Sequence, residues 1–288
     1  MESTRRATVL LCSVPVHGHV APMLEVARHL ATSGHDVRML TGSRFAERVR
    51  ESGAEFRPLP ADADFDDRDW EHPDTRPRMR GWLHLFAAFG SVAAGAVLVP
   101  LAWTHGPRAG IPISLYCLTI LGLFGISAAY HRRRWSPRGW KVMKRLDHSM
   151  IFLFIAGTYT PFALLAVDQP TGYWVLAGVW AGALAGVSLK LTWPNAPRWV
   201  GVPLYIGLGW VAVFILTDIL HIAGVTSLVL LAVGGVLYTL GGVAYALKWP
   251  NPWPGVFGYH EVFHAMTVVA AICHYIAVYF AMYNSPYL

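Results

Sequence analysis

WLHLFAAFGSVAAGAVLVPLAW, residues 82–103, runs for twenty-two residues without an Asp, Glu, Lys or Arg. A helix rises about 1.5 Å per residue, so about 20 apolar residues cover the roughly 30 Å of a bilayer's hydrocarbon core. The stretch therefore reads as a membrane-crossing helix, and the pattern repeats over 112–131, 147–167, 173–191, 199–220, 225–247 and 257–281. Turn chemistry separates these segments: Gly106-Pro107 and Gly110, Gln169-Pro170, Pro194 and Pro197, Gly224, then Pro250, Pro252 and Pro254-Gly255. The expected fold is an all-α membrane protein, a seven-transmembrane helical bundle. Gly178, Gly182 and Gly186 recur at four-residue spacing, which allows close helix approach.

The whole composition agrees. With 288 residues, 55% hydrophobic and 14% charged, the chain is too apolar for an ordinary soluble protein. The charge is divided unevenly. Residues 1–81 hold 12 Lys+Arg against 13 Asp+Glu, and residues 82–288 hold 11 against four. This shift marks three regions: an α/β segment over 1–60, a linker over 61–81 containing the acidic, Pro-bearing stretch from Asp62 to Arg80, and a membrane domain over 82–288. Cys12, Cys117 and Cys273 are scattered without CxxC spacing, so they read as core residues and not as a disulfide or thiolate site.

The basic residues set an orientation. With a cytoplasmic amino terminus, the inner segments collect Arg76, Arg78, Arg80, Arg132, Arg133, Arg134, Arg138, Lys141, Lys144, Arg145, Lys190, Arg198 and Lys248, against Arg108 outside. The expected location is the cytoplasmic (inner) membrane, multi-pass, with the carboxyl terminus outside. A juxtamembrane basic loop faces cytosol and anionic lipid, so membrane lipids and not nucleic acid are the expected partners.

The amino-terminal segment reads differently. Thr8–Ser13, Asp36–Leu40 and Ala54–Pro58 look like strands, with helices over Met23–Ser33 and Arg44–Ser52 and a loop over Val14–Pro22. This is a β-α-β-α-β half of a doubly wound, Rossmann-like fold. The first apolar run is too short to span and lacks a small-residue cleavage site, so no signal peptide is expected. HGHVAPMLEVARHLATSGHDVRMLTG resembles the acceptor-side start of the UDP-glycosyltransferases of GT-B fold. In that family the histidine of the H-x-x-P element, here His19 before Pro22, deprotonates the acceptor. The resemblance covers about the first 60 residues, roughly two βα units. Such a truncated segment leaves no residues for a nucleotide sugar, so glycosyl transfer is not expected.

The rare polar residues of the membrane domain gather at one depth. His260 and His264, four residues apart, share one helix face and can reach one metal ion. His131 ends the second span on the same side, Asp147 opens the third, and Ser127 lies one turn before His131. Three imidazoles with an open position make a catalytic zinc set. Each residue also has a plain reading: a solvated interfacial histidine for His131, a carboxylate favoured by the helix dipole for Asp147. His148 points about 100° away from Asp147, and His274 lies about 21 Å deeper than His260, too far for the same metal. Asp218 and His221 read as a solvated cap. HEVFH also fits HExxH, in which Glu261 would be the base of a metalloprotease.

SAAYH (127–131), RLDHSMIFLFIAGTYTPF (145–162) and HEVFHAMTVVAAICHY (260–275) together resemble the hemolysin III branch of the progestin and adipoQ receptor family, over about residues 80–288. The resemblance implies seven helices, Zn2+ held by His131, His260 and His264, and Asp147 with Ser127 as catalytic groups beside the metal's water. It also implies a lipid amide or ester as substrate, since related members of the wider superfamily are ceramide amidohydrolases. A receptor-like or pore-forming protein with structural zinc remains the alternative. Substrate and oligomeric state stay open.

Overall fold

The computed structural model describes residues 6–60, 63–64, 77–253 and 255–288. Most of the expected linker, with Arg76, and Pro254 lie outside the described residues. The chain divides into two compact units, Met1–Arg76 and Pro77–Leu288.

In the first unit, β1 (Thr8–Cys12), β2 (Asp36–Thr41) and β3 (Glu55–Pro58) form a parallel sheet in the order β1-β2-β3, with Val9 opposite Val37 and Met39 opposite Phe56. Two helices, α1 (His17–Thr32) and α2 (Ala46–Glu51), connect the strands. Val20, Leu24 and Ala27 of α1 pack with Val37, Met39, Phe45 and Val49 into a small core. Parallel sheets are normally covered on both faces, yet Leu10 is exposed. The helix begins at His17 and not at Met23, so His19 and Pro22, expected in a loop, belong to α1, and His19 is exposed.

The second unit is helical: α3 (Trp82–Thr104), α4 (Pro107–Arg132), α5 (Pro137–Leu165), α6 (Thr171–Thr192), α7 (Arg198–Gly209), α8 (Leu216–Leu247) and α9 (Tyr259–Tyr283), with a 3-10 turn over Trp210–Ile215. Among the described residues, six helical stretches are long and apolar enough to cross a membrane, one of them the 50 residues Arg198–Leu247. Fifty helical residues would measure about 75 Å, far beyond a bilayer. That stretch does not run straight. Gly224 leaves helical geometry at φ 84°, ψ 170°, a conformation open to glycine because it lacks a Cβ. The two arms meet side by side: Trp210 Nε1 donates to Thr239 Oγ1 at 2.9 Å, and Arg198 donates to the Tyr245 carbonyl at 3.4 Å.

Helices α4 and α5 are the most enclosed, whereas α3 and α6 carry outward Phe86, Phe89, Val97, Trp174 and Leu184. An apolar outer surface with polar groups turned inward suits lipid as the surrounding solvent. Small residues set the helix spacing. A Cβ on Gly157 would fall 2.1 Å from Thr119 Oγ1, and one on Gly186 would fall 2.3 Å from the Phe152 ring. Two of the three glycines of the expected stripe, Gly182 and Gly186, meet neighbours, but Gly178 faces open space.

Helix α5 starts ten residues before the expected boundary. Ser136 accepts from the Gly139 backbone at 3.2 Å as N-cap, and Pro137 takes the first helical position, where its missing N–H costs nothing. Asp147 consequently sits about three turns inside the helix, and the reading of it as a helix-start carboxylate falls.

Arg80, just before α3, and Glu261, in the first turn of α9, form an ion pair that is almost wholly buried. The second Glu261 oxygen accepts from the Gly258 backbone N–H at 2.8 Å, capping α9. Removing one partner strands the other charge. Arg80→Met is therefore expected to lower stability by about 3–5 kcal/mol, and Arg80→Met with Glu261→Met by less, measured by thermal unfolding in detergent. In the same assay Gly157→Val should cost about 1–3 kcal/mol or more through overpacking, with Gly178→Ala near neutral.

Candidate metal centre

Two helices bring three imidazoles together. His131 ends α4; His260 and His264 lie one turn apart at the start of α9. One ring nitrogen from each lies within 4.8 Å of the others, and all three side chains are buried. The ring centroids stand 4.6–5.2 Å apart. The approach of α3 to α4 depends on Gly81, which has φ 78° and would put a Cβ 2.8 Å from that of His131.

These residues fit a zinc ion by donor chemistry. Zinc takes neutral imidazole nitrogens in sets of three or four. His264 Nδ1 is buried and has no hydrogen-bond partner among the described residues, an arrangement that costs free energy unless something else answers it. Three imidazoles, with no carboxylate or thiolate in the cluster among the described residues, also leave a coordination position open.

A cavity of about 200 Å³ opens beside the cluster, with His260, His264, Ser127 and Asp147 on its wall. The rest of its lining is mainly apolar, from α5, α7, the 3-10 turn and α8, and reaches Leu231 and His274. Ser127 and Asp147, expected near the metal, thus share one cavity with two of the histidines. Ser127, however, is engaged by a residue that sequence reasoning did not single out: His84 Nδ1 lies 2.8 Å from its hydroxyl. His84 also stacks on His264, centroids 3.6 Å apart and planes 11° from parallel. Its signal was available, because an ionisable side chain inside an otherwise apolar span is rare and usually functional.

Among the described residues the remaining histidines fall outside the cluster. His148 Nδ1 donates to the Lys144 carbonyl at 2.7 Å, and His274 faces the Leu231 carbonyl at 3.4 Å and the Tyr238 ring.

Comparison with known proteins finds two families, whose matches overlap over residues 74–95. The haemolysin-III related family profile matches residues 74–275, and the glycosyltransferase family 28 N-terminal domain profile matches residues 16–95. The chain is 27% identical over 198 residues to Hemolysin-3 of Bacillus cereus, covering 68% of this chain and 87% of that protein. It is 23% identical over 209 residues to human monocyte to macrophage differentiation factor, covering 71% and 84% respectively. The first unit is similar to UDP-glucosyltransferase A1 of Starmerella bombicola, 38% identical over 65 residues, but this is 23% of the chain and only 14% of that enzyme. With a single profile spanning more than half its length and all three histidines, the chain belongs to the haemolysin-III related family.

Proposed function

We propose that the protein is a seven-span inner-membrane zinc hydrolase that cleaves an amide or ester bond of a lipid. The observation that carries this reading is the convergence of His131, His260 and His264 at one end of an apolar cavity that also presents Ser127 and Asp147. Counting the two arms about Gly224 separately gives seven crossings, which puts the termini on opposite sides. The basic stretch Arg132–Arg145, adjoining the histidine end, then faces the cytosol with the amino terminus.

The three histidines would hold the ion; when bound, zinc polarises a carbonyl and lowers the pKa of a water toward neutrality. The side chains do the rest. Asp147, enclosed by the cavity wall, serves as the base that takes a proton from water and returns it to the departing amine or alcohol. Ser127, oriented by His84, hydrogen-bonds the carbonyl oxygen. The apolar wall receives an acyl chain and excludes bulk water. Water is added across the C–N or C–O bond, leaving a carboxylate and a free amine or alcohol.

A protease built on Glu261 has less support, since both carboxylate oxygens are committed, one to Arg80 and one to the α9 cap. A structural zinc in a receptor-like or pore-forming protein is the second reading. It would be favoured by a fourth protein ligand, and the clustered donors number three among the described residues.

Elemental analysis of detergent-purified protein decides the first step. Wild type should carry about one zinc per chain, His131→Ala and His264→Ala background levels, and Asp147→Ala nearly the wild-type amount. Asp147→Ala should lower hydrolysis of a lipid amide or ester by about 10²–10⁴-fold. No zinc in metal-replete wild type would sink the hydrolase; zinc without hydrolysis would leave the structural reading standing.

A further inference from the structure

The polar groups on the cavity wall are of two kinds. Thr158, Thr239 and Thr267 are answered by their own helices, each hydroxyl donating to the carbonyl one turn earlier at 2.8–2.9 Å. Tyr238 of α8 and His274 of α9, on the same wall, are not. Among the described residues the Tyr238 hydroxyl and His274 Nδ1 are buried without a hydrogen-bond partner, a condition that costs free energy. His274 Nε2 faces the Leu231 carbonyl at 3.4 Å, which puts the ring proton on Nε2 and leaves Nδ1 as an acceptor.

The two side chains stand together. Their rings meet edge to face with centroids 5.3 Å apart, and Gly234 makes room for the imidazole: a Cβ there would fall 2.5 Å from Nε2. Phe154, also on the cavity wall, packs against Tyr238 with centroids 6.3 Å apart. The Cys273 thiol and the Tyr116 hydroxyl lie within electrostatic reach of Tyr238 without bonding it. Among the described residues the wall carries no Lys, Arg or Glu, and its one Asp, Asp147, stands about two turns before Phe154 on α5. The occupant suited to Tyr238 and His274 is therefore uncharged. It must donate to Nδ1 and pair with the phenol, which a hydroxyl does, whereas a carbonyl only accepts and a methylene does neither.

We propose that Tyr238 and His274 bind a hydroxyl group carried part-way along the acyl chain of a lipid whose carbonyl end lies at the three histidines. His264 and His274 are ten residues apart on α9, about 15 Å along its axis, a distance that an extended chain covers in about twelve C–C bonds. The mainly apolar wall between them receives the methylenes. The lipid selected is then a chain-hydroxylated one, in preference to its plain counterpart. As a statement about the substrate this rests on the hydrolase reading; as a binding site for a hydroxylated chain it stands without it.

The test uses the full chain, delipidated in detergent and offered stearic acid, its α-hydroxy derivative or 12-hydroxystearic acid in turn, with retained lipid read by native mass spectrometry. Wild type should retain 12-hydroxystearic acid about 10-fold better than either of the others, because a ligand without the hydroxyl at that depth leaves buried polar groups unpaired. Tyr238→Phe and His274→Phe should each lose most of the preference. Tyr238→Phe removes a hydroxyl that no protein group answers, so its ligand-free thermal unfolding should match wild type or rise. Equal retention of all three acids by wild type overturns the site, as does a preference that the α-hydroxy acid shares or that Tyr238→Phe leaves unchanged. If His274→Phe does not fold, Tyr238→Phe decides alone. Zinc content is read on the same samples. The hydroxyl preference in a protein without zinc sustains this site while the hydrolase reading fails, and zinc without the preference does the reverse.

Discussion

The buried ion pair between Arg80 and Glu261 holds the histidine-bearing turn of α9 against the start of α3. In hydrocarbon no water answers a polar group, so position follows from pairing. Glu261 anchors to Arg80 with one oxygen and ties the α9 cap with the other. His260 and His264, flanking it on that same turn and the next, are thereby fixed in depth opposite His131. Gly81, one residue after Arg80, allows the close contact that completes the arrangement. A pair that costs stability to desolvate thus gives the histidine cluster its register.

Much of this was legible in the sequence, for physical reasons that differ by residue. Apolar length and turn chemistry located the helices because backbone hydrogen bonds leave few alternatives in a bilayer. Spacing alone placed His260 and His264 on one face. What spacing could not show was convergence across helices: His84 and Ser127 are 43 residues apart and meet only when α3 packs on α4. The start of α5 was misplaced because hydropathy dominated the reading, whereas Ser136-Pro137 carried the capping signal. Glu261 looked like a protease base in a short motif, and only its partners reveal a structural task.

The amino-terminal unit obeys a different rule. Its three strands and two connecting helices have the periodicity of a doubly wound sheet, and the likeness to UDP-glucosyltransferase A1 covers 65 residues. A core of Val20, Leu24, Ala27, Val37, Met39 and a few neighbours buries little surface, and small cores are marginal. His19, the residue that matches the family's base, lies exposed in the first turn of α1.

The helical arm from Arg198 to Gly224 supplies part of the cavity wall. Regular α-helix gives way to a 3-10 turn at Trp210–Ile215, and the Gly209 carbonyl at that junction accepts from the Tyr159 hydroxyl at 2.6 Å. Irregular backbone at membrane depth persists only where protein groups or an enclosed space answer it. Here both do: Gly209, Trp210 and Val213 belong to the cavity wall. The tighter 3-10 turn rotates side chains away from the positions a continuous α-helix would give them. Tyr159, itself on that wall, thereby ties α5 to the break that follows α7.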